Sequence, residues 1–294
     1  MLNRTEITDK IIAAMRNGTP PWKRPFATVP HQNLFSTRPY NGINQLLLNL
    51  NVDAAPYWGS YRQWQSVNCQ VRKGQKSSQI VYYKIMEKTD ENGKKETWPI
   101  MRQYAIFHIG QIDDQDNRFT NLHNQTIDTD YSSASAILQS SGAVIRIGGN
   151  QAFYNPTDNY MRIPSDNQFT GDTERLVTIF HELGHWGHQN IIGRQLTCDH
   201  HSPEYAFGEL VAEITACFLC QSCSVPNDLD NSASYIDHWC NAMRKDTNYI
   251  FNASKLASTI SDHLLKKAGL LVDTNDTSDH ADDDAVVAGE LVAV

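Results

Sequence analysis

Residues 173–190 read TERLVTIFHELGHWGHQN and contain the pattern that decides the fold of the second half of the chain. Apolar side chains recur there at helical spacing, which predicts one continuous α-helix. His181 and His185 are four residues apart, so both imidazole rings lie on one helix face and can reach the same Zn²⁺. Glu182 then lies beside the metal, where its carboxylate could take a proton from a metal-bound water. The alternative is a surface histidine pair with a salt-bridging glutamate.

A third metal ligand is expected from the next long helix, predicted over residues 205–223. Glu209 and Glu213 are again four residues apart, and their apolar neighbours argue against two solvated carboxylates. One of them could complete a His₂Glu site and leave the fourth position for water. The other could accept the N–H of a ligand histidine and fix its ring. We predict Glu209 as the ligand and Glu213 as the orienting carboxylate, and the reverse assignment stays open.

This ligand set predicts the chemistry of a zinc hydrolase. Zn²⁺ lowers the pKa of a bound water toward ~7 and polarises a scissile carbonyl. Glu182 would act as the general base and then pass the proton to the leaving amine. The strand expected at residues 158–163 could pair with an extended peptide. The candidates for stabilising the oxyanion are four tyrosines, among which the sequence does not choose: Tyr154, Tyr160, Tyr205 and Tyr249.

The distribution of charge divides the 294 residues into two parts of opposite net charge. Residues 1–126 contain 16 Lys/Arg and 10 Asp/Glu, whereas residues 127–294 contain 9 and 23, so a basic first half precedes an acidic second half. No apolar run approaches the ~18 residues of a membrane span, and the N-terminus lacks the apolar core of a signal peptide. We therefore expect a cytoplasmic protein with no membrane partner. Its six cysteines should be reduced thiols.

Coarse periodicity predicts an α+β first half and a mainly helical second half with a small sheet. In the first half, helices are expected at residues 5–16, 45–50 and 61–67, and strands at 79–85 and 102–109 around a mobile hairpin turn at 88–98. In the second half, a strand is expected at 144–147 and a strand pair within 152–163 around a turn at 155–158, and helices are expected at 132–141, 173–190, 205–223, 233–244 and 253–268. The predicted domains are 1–126 and 127–270, followed by an acidic tail, 271–294, that we expect to be disordered.

The basic half interleaves cations with aromatic side chains. Single-stranded nucleic acid favours this mixture, because Lys and Arg pair with phosphates and flat rings stack on exposed bases. The alternative is a domain whose aromatic residues form the core and whose charges only solubilise the surface. The candidate DNA contacts from this pattern are Trp22, Lys23, Arg24, Arg38, Trp58, Arg72, Lys73 and Lys76.

The order of these motifs resembles the ArdC-type antirestriction proteins of conjugative plasmids and phages. The resemblance covers about residues 1–268 and is specific because several stretches occur in the same order. None would suffice alone, except the metal motif together with its glutamate. The matching stretches are IIAAMRNGTPPW (11–22), RPYNGIN (38–44), VRKGQK (71–76), HELGHW (181–186) and ELVAE (209–213).

The resemblance implies an N-terminal single-stranded-DNA-binding domain, a C-terminal zincin-like metallopeptidase domain and protection of incoming DNA from host restriction. It adds Tyr40 and Asn44 to the candidate DNA contacts. It leaves open whether the chain is an enzyme and whether it cleaves a protein or peptide substrate. Two other functions compete with it: a plain cytoplasmic zinc peptidase without a DNA function, and a non-enzymatic DNA-binding accessory protein with a structural zinc site. Glu182 argues against a structural zinc site, since such a site needs no general base.

Overall fold

The computed structural model describes residues 4–51, 55–89, 95–119, 122, 127–197, 199, 202–228 and 233–271. The first half contains α1 (Arg4–Arg16), β1 (Gln32–Asn33), α2 (Ile43–Asn49), β2 (Tyr57–Ser60), α3 (Tyr61–Ser66), β3 (Gln70–Val71), β4 (Ser78–Thr89), β5 (Lys95–His108) and β6 (Ile112–Asp113). The second half contains α4 (Tyr131–Ser141), β7 (Val144–Ile147), β8 (Phe153–Asn155), β9 (Tyr160–Ile163), α5 (Asp172–Asn190), α6 (Pro203–Ser222), α7 (Ala233–Lys245) and α8 (Tyr249–Lys267). The predicted α+β class and the mainly helical second half with a small sheet are confirmed.

The first half is built on a four-stranded sheet with the order β1-β2-β5-β4. β2 pairs antiparallel with β5, and the short β1 adds to β2 in parallel. Helix α2 packs on the outer strand β4, and one of its side chains also bonds to the backbone of that strand. The Asn44 amide donates to the carbonyl of Val81, and its oxygen accepts from the Val81 N–H, each at 2.8 Å. Asn44 therefore closes the backbone pairing at this edge of the sheet.

The hairpin of β4 and β5 is longer than the sequence predicted. The prediction of a mobile turn over residues 88–98 is wrong at both ends. Lys88 and Thr89 continue β4, and β5 begins at Lys95. Opposite charges face each other across these strands, and the Glu87 carboxylate lies 2.5 Å from the Lys95 ammonium. Such cross-strand pairs favour continued pairing. The Asn92-Gly93 pair of the expected turn lies outside the described residues.

Helix α1 belongs to the core that spans both halves. Its predicted apolar face is buried and packs on α7. Burial of each such side chain is worth about 2 kcal/mol, so detaching α1 would cost several kcal/mol. Trp22 continues this contact and meets Trp239 edge to face, with ring centroids 5.7 Å apart. The domain boundary predicted after residue 126 stays a prediction, and the apolar core is continuous across it.

Buried hydrogen bonds also join the two halves. The backbones of Arg24 and Asn227 form a two-way bridge, with N···O distances of 2.5 and 2.6 Å. The Gln221 amide near the end of α6 donates to the Asn49 side chain at 2.9 Å, and Asn49 in turn donates to the Pro21 carbonyl. Because these groups are buried and paired with each other, their hydrogen bonds stabilise the contact between the halves by about 1 kcal/mol each.

The second sheet has the order β7-β9-β8. β9 lies in the middle, paired in parallel with β7 and antiparallel with β8. The expectation that the strand at residues 158–163 could pair with a peptide is therefore wrong, because both of its edges are already occupied. The free edge closest to α5 belongs to β8.

Two glycines let the helices of the second half approach closely. A Cβ on Gly184 would lie 2.8 Å from the Ala212 Cα, so α5 and α6 meet backbone to backbone at this point. A Cβ on Gly187 would collide with the Ile260 side chain of α8. The two positions fix α5 between α6 and α8.

Three regularly spaced cysteines, two in α6 and one just after its end, pack into the core. Cys217, Cys220 and Cys223 are buried, and burial raises the pKa of Cys217 and of Cys223 to about 12. Such thiols remain protonated near neutral pH. Among the described residues, the one group of three or more side chains close enough to share a metal ion includes no cysteine.

The acidic tail falls almost entirely outside the described residues, which end at Leu271. Within those residues, no helix combines the length and the apolar composition that crossing a membrane requires.

We expect Gly184→Ala to lower the free energy of unfolding by about 1–3 kcal/mol, because the added methyl group meets backbone that cannot move aside cheaply. Gly208→Ala is a matched control on α6. Its Cβ would lie 3.5 Å from Leu196, an ordinary contact, and alanine favours a helix over glycine. Denaturant unfolding of the two variants tests the difference. Equal stability of both variants would contradict the tight contact.

Candidate metal centre

The side chains of α5 and α6 converge where the two helices cross. The Nε2 atoms of His181 and His185 are 3.1 Å apart. Glu209 faces both rings, with its Oε2 3.5 Å from His181 Nε2 and its Oε1 3.4 Å from His185 Nε2. The close contact at Gly184 allows this, because a larger residue there would hold α6 away from the histidines. Two imidazole nitrogens and one carboxylate therefore point at a common centre.

The separations within this cluster are close to those of a tetrahedral metal site. With metal–ligand distances of about 2.0–2.1 Å, two ligand atoms of a tetrahedral site are roughly 3.3 Å apart. The two Nε2 atoms are 3.1 Å apart, and each lies 3.4 or 3.5 Å from a different carboxylate oxygen of Glu209. The donor set, two imidazoles and one carboxylate, is that of an open catalytic zinc site.

Glu213 lies behind the cluster, at the second nitrogen of His181. Its Oε1 is 3.4 Å from His181 Nδ1. A carboxylate in this position favours a proton on Nδ1 and leaves the Nε2 lone pair free for a metal ion. The geometry favours Glu209 as the ligand and Glu213 as the orienting group.

The carboxylates of this cluster favour a positive charge on its histidines. Burial alone would lower the pKa of His181, but the hydrogen bond to Glu209 and the charges of Glu213 and Glu182 raise it to about 10. Burial opposes ionisation of Glu209, yet the two histidines lower its pKa below the usual range. A bound dication would take the place of the protons that this arrangement attracts.

A cavity of about 610 Å³ opens over these ligands. One wall is the edge strand β8 with its flanking loop, residues 151–157, and the opposite wall includes Leu196, Thr197 and Tyr205. Glu182 lines the cavity beside the histidines and is 7% exposed. The centre therefore faces a groove large enough for a peptide segment.

Two of the four candidate tyrosines line this cavity, Tyr154 and Tyr205, whereas Tyr160 and Tyr249 are not among its lining residues. Tyr205 is hydrogen-bonded to Glu209 and to Tyr235. Burial and the nearby Glu209 charge raise the pKa of Tyr205 above its usual range. Its phenol thus stays protonated and can donate a hydrogen bond near the centre.

The aromatic residues predicted to contact DNA are mostly buried. Trp22 and Trp58 are each 1% exposed, and Tyr40 is 2% exposed. Trp58 donates its Nε1 proton to His31 Nδ1 at 3.0 Å. None of these three rings has a face open to a base in this structure, so stacking on them would require a rearrangement.

Two predicted cations are also engaged in the protein. Arg24 is 5% exposed, donates to the carbonyl of Asn49 at 2.9 Å and lies over the Phe26 ring. Lys23 pairs with Asp228 at 3.2 Å.

The remaining predicted cations lie at the surface. Arg72, Lys73 and Lys76 are exposed on the turn between β3 and β4, and Arg38 is partly exposed. The Arg72 guanidinium donates to the carbonyls of Ile112 and Gly110, which holds this turn against the end of β5 and the start of β6. The structure therefore brings three of the predicted cations together on one turn.

The strand pair expected within residues 152–163 is confirmed as β8 and β9, but the sequence did not place β8 in the wall of the cavity. Sequence reasoning missed Tyr235 on α7, which stacks on Tyr205 with ring centroids 6.5 Å apart and joins its hydrogen-bond network. An aromatic residue far along the chain offers no local signal for such a contact.

Comparison with known proteins assigns both halves. A family model for the N-terminal domain of the anti-restriction factor ArdC matches residues 2–107, and one for a zincin-like metallopeptidase matches residues 132–256. The chain is 32% identical to the metal-free crystal structure of antirestriction protein ArdC from plasmid R388, with a TM-score of 0.76 over 92% of this chain and 100% of that one. The Mn(II)-bound structure of the same protein matches with 30% identity and a TM-score of 0.73, at the same coverage.

Similar curated proteins include two named DNA primase TraC from Escherichia coli, 32% and 30% identical over 285 and 282 residues. Each alignment covers 88% of this chain but only 27% and 19% of those proteins, so the chain spans less than a third of their length. The uncharacterized protein y4eC from Sinorhizobium fredii is 28% identical over 275 residues, which is 89% of its length.

We expect purified protein to bind about one Zn²⁺ per chain, and His181→Ala to lose it, because one of the three ligands is removed. The variant should also unfold more easily in the presence of zinc, since the ion ties α5 to α6. His263→Ala removes an exposed histidine of α8 and is the control. Elemental analysis measures the metal content. Full zinc occupancy in His181→Ala would contradict the site.

Proposed function

The chain belongs to the ArdC antirestriction family, and on that basis we propose that it protects the incoming DNA of a plasmid or phage from host restriction. In this proposal the basic half binds single-stranded DNA, and the second half carries a zinc peptidase site that acts on a protein or peptide. The convergence of His181, His185 and Glu209 under an open cavity is the observation that carries the enzymatic part. The basic turn at Arg72, with its two lysines, supports the DNA-binding part.

Zinc is the metal that we propose for the centre. Two imidazoles and one carboxylate suit Zn²⁺, whereas Mn²⁺ and Mg²⁺ favour sites richer in oxygen. The R388 protein has been crystallised with Mn(II). Since zinc forms stronger complexes with nitrogen ligands than manganese does, we expect this site to retain zinc when both ions are offered.

Each side chain around the ion has a distinct part in peptide hydrolysis. A zinc ion bound there would supply a Lewis acid next to the scissile carbonyl. Glu182 lines the same cavity, where its carboxylate can accept a proton from the attacking water and give it to the leaving amine. The Tyr205 phenol, bonded to Glu209 and Tyr235 in this structure, could donate to the oxygen on which negative charge develops by exchanging its partner. Glu213 keeps the His181 ring oriented throughout.

The edge strand β8 provides a binding mode for the substrate. β8 is paired only with β9 in the second sheet, so its other edge can accept a further strand. Phe153, Tyr154 and Asn155 line the cavity, so a peptide added to this edge would run beside the metal ligands. Main-chain hydrogen bonds of this kind favour an extended segment without selecting a particular sequence.

DNA binding is proposed to rest on surface charge more than on aromatic stacking. Arg72, Lys73 and Lys76 present their charges on one exposed turn, whereas Trp22 and Trp58 are buried. Phosphate contacts of this kind give affinity that falls with salt and depends little on base sequence. The acidic second half would repel the phosphates, so the backbone of the strand would favour the first half.

We expect reversal of charge at Arg72, Lys73 and Lys76 to glutamate to weaken binding of the full chain to single-stranded DNA at least tenfold at low salt. The slope of log affinity against log salt should fall by about 2, because each phosphate contact contributes roughly 0.7. Fluorescence anisotropy of a labelled oligonucleotide measures both effects. Reversal of three exposed cations of the second half, Arg244, Lys245 and Lys255, is the matched control. An unchanged slope in the first variant would rule out this turn as the interface.

We expect Glu182→Gln to retain zinc and DNA binding while losing proteolysis by 10²-fold or more, because only the proton transfer is removed. Mass spectrometry of a peptide library incubated with the zinc-loaded protein detects cleavage. Equal cleavage by both proteins would contradict the role of Glu182. Absence of cleavage by either, together with protection of DNA from a restriction enzyme by both, would show that the peptidase fold acts as a binding module.

A further inference from the structure

A second cavity lies between the two halves, away from the metal ligands. It has a volume of about 270 Å³ and opens to solvent at one side. The first half contributes the segment before α2 and the start of that helix, and the second half contributes α6 and α8. Among its lining residues are Pro30, Pro39, Tyr40, Phe218, Asp262 and Leu265.

Asp262 carries the only formal charge among the described residues of this lining. Its carboxylate is half-buried, and the structure shows no ion pair between it and any described residue. Burial raises the pKa of Asp262 to about 6. A carboxylate held in an apolar setting gains most from a ligand that donates hydrogen bonds to it.

The hydroxyl groups in the lining also act as acceptors. Ser222 donates its proton to the Phe218 carbonyl at 2.9 Å, and Ser261 donates to the Ser258 carbonyl at 3.1 Å. Each hydroxyl oxygen is left with lone pairs. Gln45 uses its amide nitrogen on two backbone carbonyls, those of His31 and Tyr40. Together with the Asp262 carboxylate these oxygens give the pocket acceptors for a ligand with N–H donors, and the Asn41 amide can donate to an acceptor on the same ligand.

The walls of the cavity are largely apolar. Pro30, Pro39 and Leu265 provide apolar surface, and the nearly buried Tyr40 and Phe218, 2% and 7% exposed, border the cavity. Such a lining suits a compact ring with a few polar groups at its edge. No lysine or arginine lies among the described lining residues, so these residues offer no cation to pair with a phosphate. The anionic part of a ligand would therefore stay at the opening of the cavity, in contact with solvent.

We propose that this cleft between the halves binds an unstacked nucleobase that bears an amino group, guanine above the others, with its Watson–Crick edge on Asp262. The inference rests on the proposed binding of single-stranded DNA, since only an unpaired base has this edge free. Guanine presents two adjacent N–H donors, which match the two oxygens of one carboxylate. Thymine presents one donor between two carbonyl oxygens, which the carboxylate would repel.

A first experiment tests the pocket with free nucleosides and the full chain. Isothermal titration should show that deoxyguanosine binds about tenfold more tightly than deoxyinosine, which lacks only the amino group. Asp262→Asn should abolish that preference, whereas Asp237→Asn, the same change at an exposed position on α7, should preserve it. Absence of deoxyguanosine binding, or an unchanged preference in Asp262→Asn, would overturn the site.

A second experiment asks whether the base comes from a strand. Oligothymidylates with one central guanine, hypoxanthine or thymine are compared for affinity at low salt. The proposal expects the guanine strand to bind several-fold more tightly than the other two, and Asp262→Asn to remove the difference. If the native chain binds all three strands equally, the base in the pocket does not come from a DNA strand. That outcome would not contradict DNA binding itself. Failure of every strand to bind, with deoxyguanosine still bound, would overturn the proposed DNA function and retain the pocket for a free nucleoside.

Discussion

The close approach of α5 and α6 at Gly184 is the constraint on which the rest of the second half depends. The two helices meet at backbone distance, and this brings the Glu209 carboxylate within 3.5 Å of both histidine rings. Three carboxylates around two imidazoles would repel one another without a cation or protons between them. The helix contact and the metal ligands are therefore mutually dependent, because the contact brings the ligands together and the ion would hold the contact closed.

The second constraint is the shared core of the two halves. Helix α1 comes from the basic half but buries its apolar face on α7, and Asn49 is bonded to the end of the helix that carries Glu209. Helix α6 thus begins beside the metal ligands and ends at the contact with the first half. A ligand in the cleft between the halves would touch both α6 and α8, so the structure offers direct contact between a bound base and the helices that frame the centre.

The sequence predicted the parts of this molecule that depend on local spacing. Helix α5 and the pairs His181/His185 and Glu209/Glu213 follow from an interval of four residues. It did not predict which strand of the second sheet is at the edge, because strand order depends on long-range pairing and β8 has only three residues. It also could not separate core aromatic residues from surface ones. Trp22 and Trp58 lie among cations in the sequence, yet tertiary packing buries both.

X-ray absorption at the zinc edge of the metal-loaded protein tests the central claim most directly. The account predicts a first shell of nitrogen and oxygen atoms at about 2.0–2.1 Å, outer-shell scattering from two imidazole rings and no sulfur. This outcome would agree with His181, His185 and one carboxylate as ligands and with Cys217, Cys220 and Cys223 as core residues. A sulfur shell at about 2.3 Å, or scattering from a single imidazole, would contradict it.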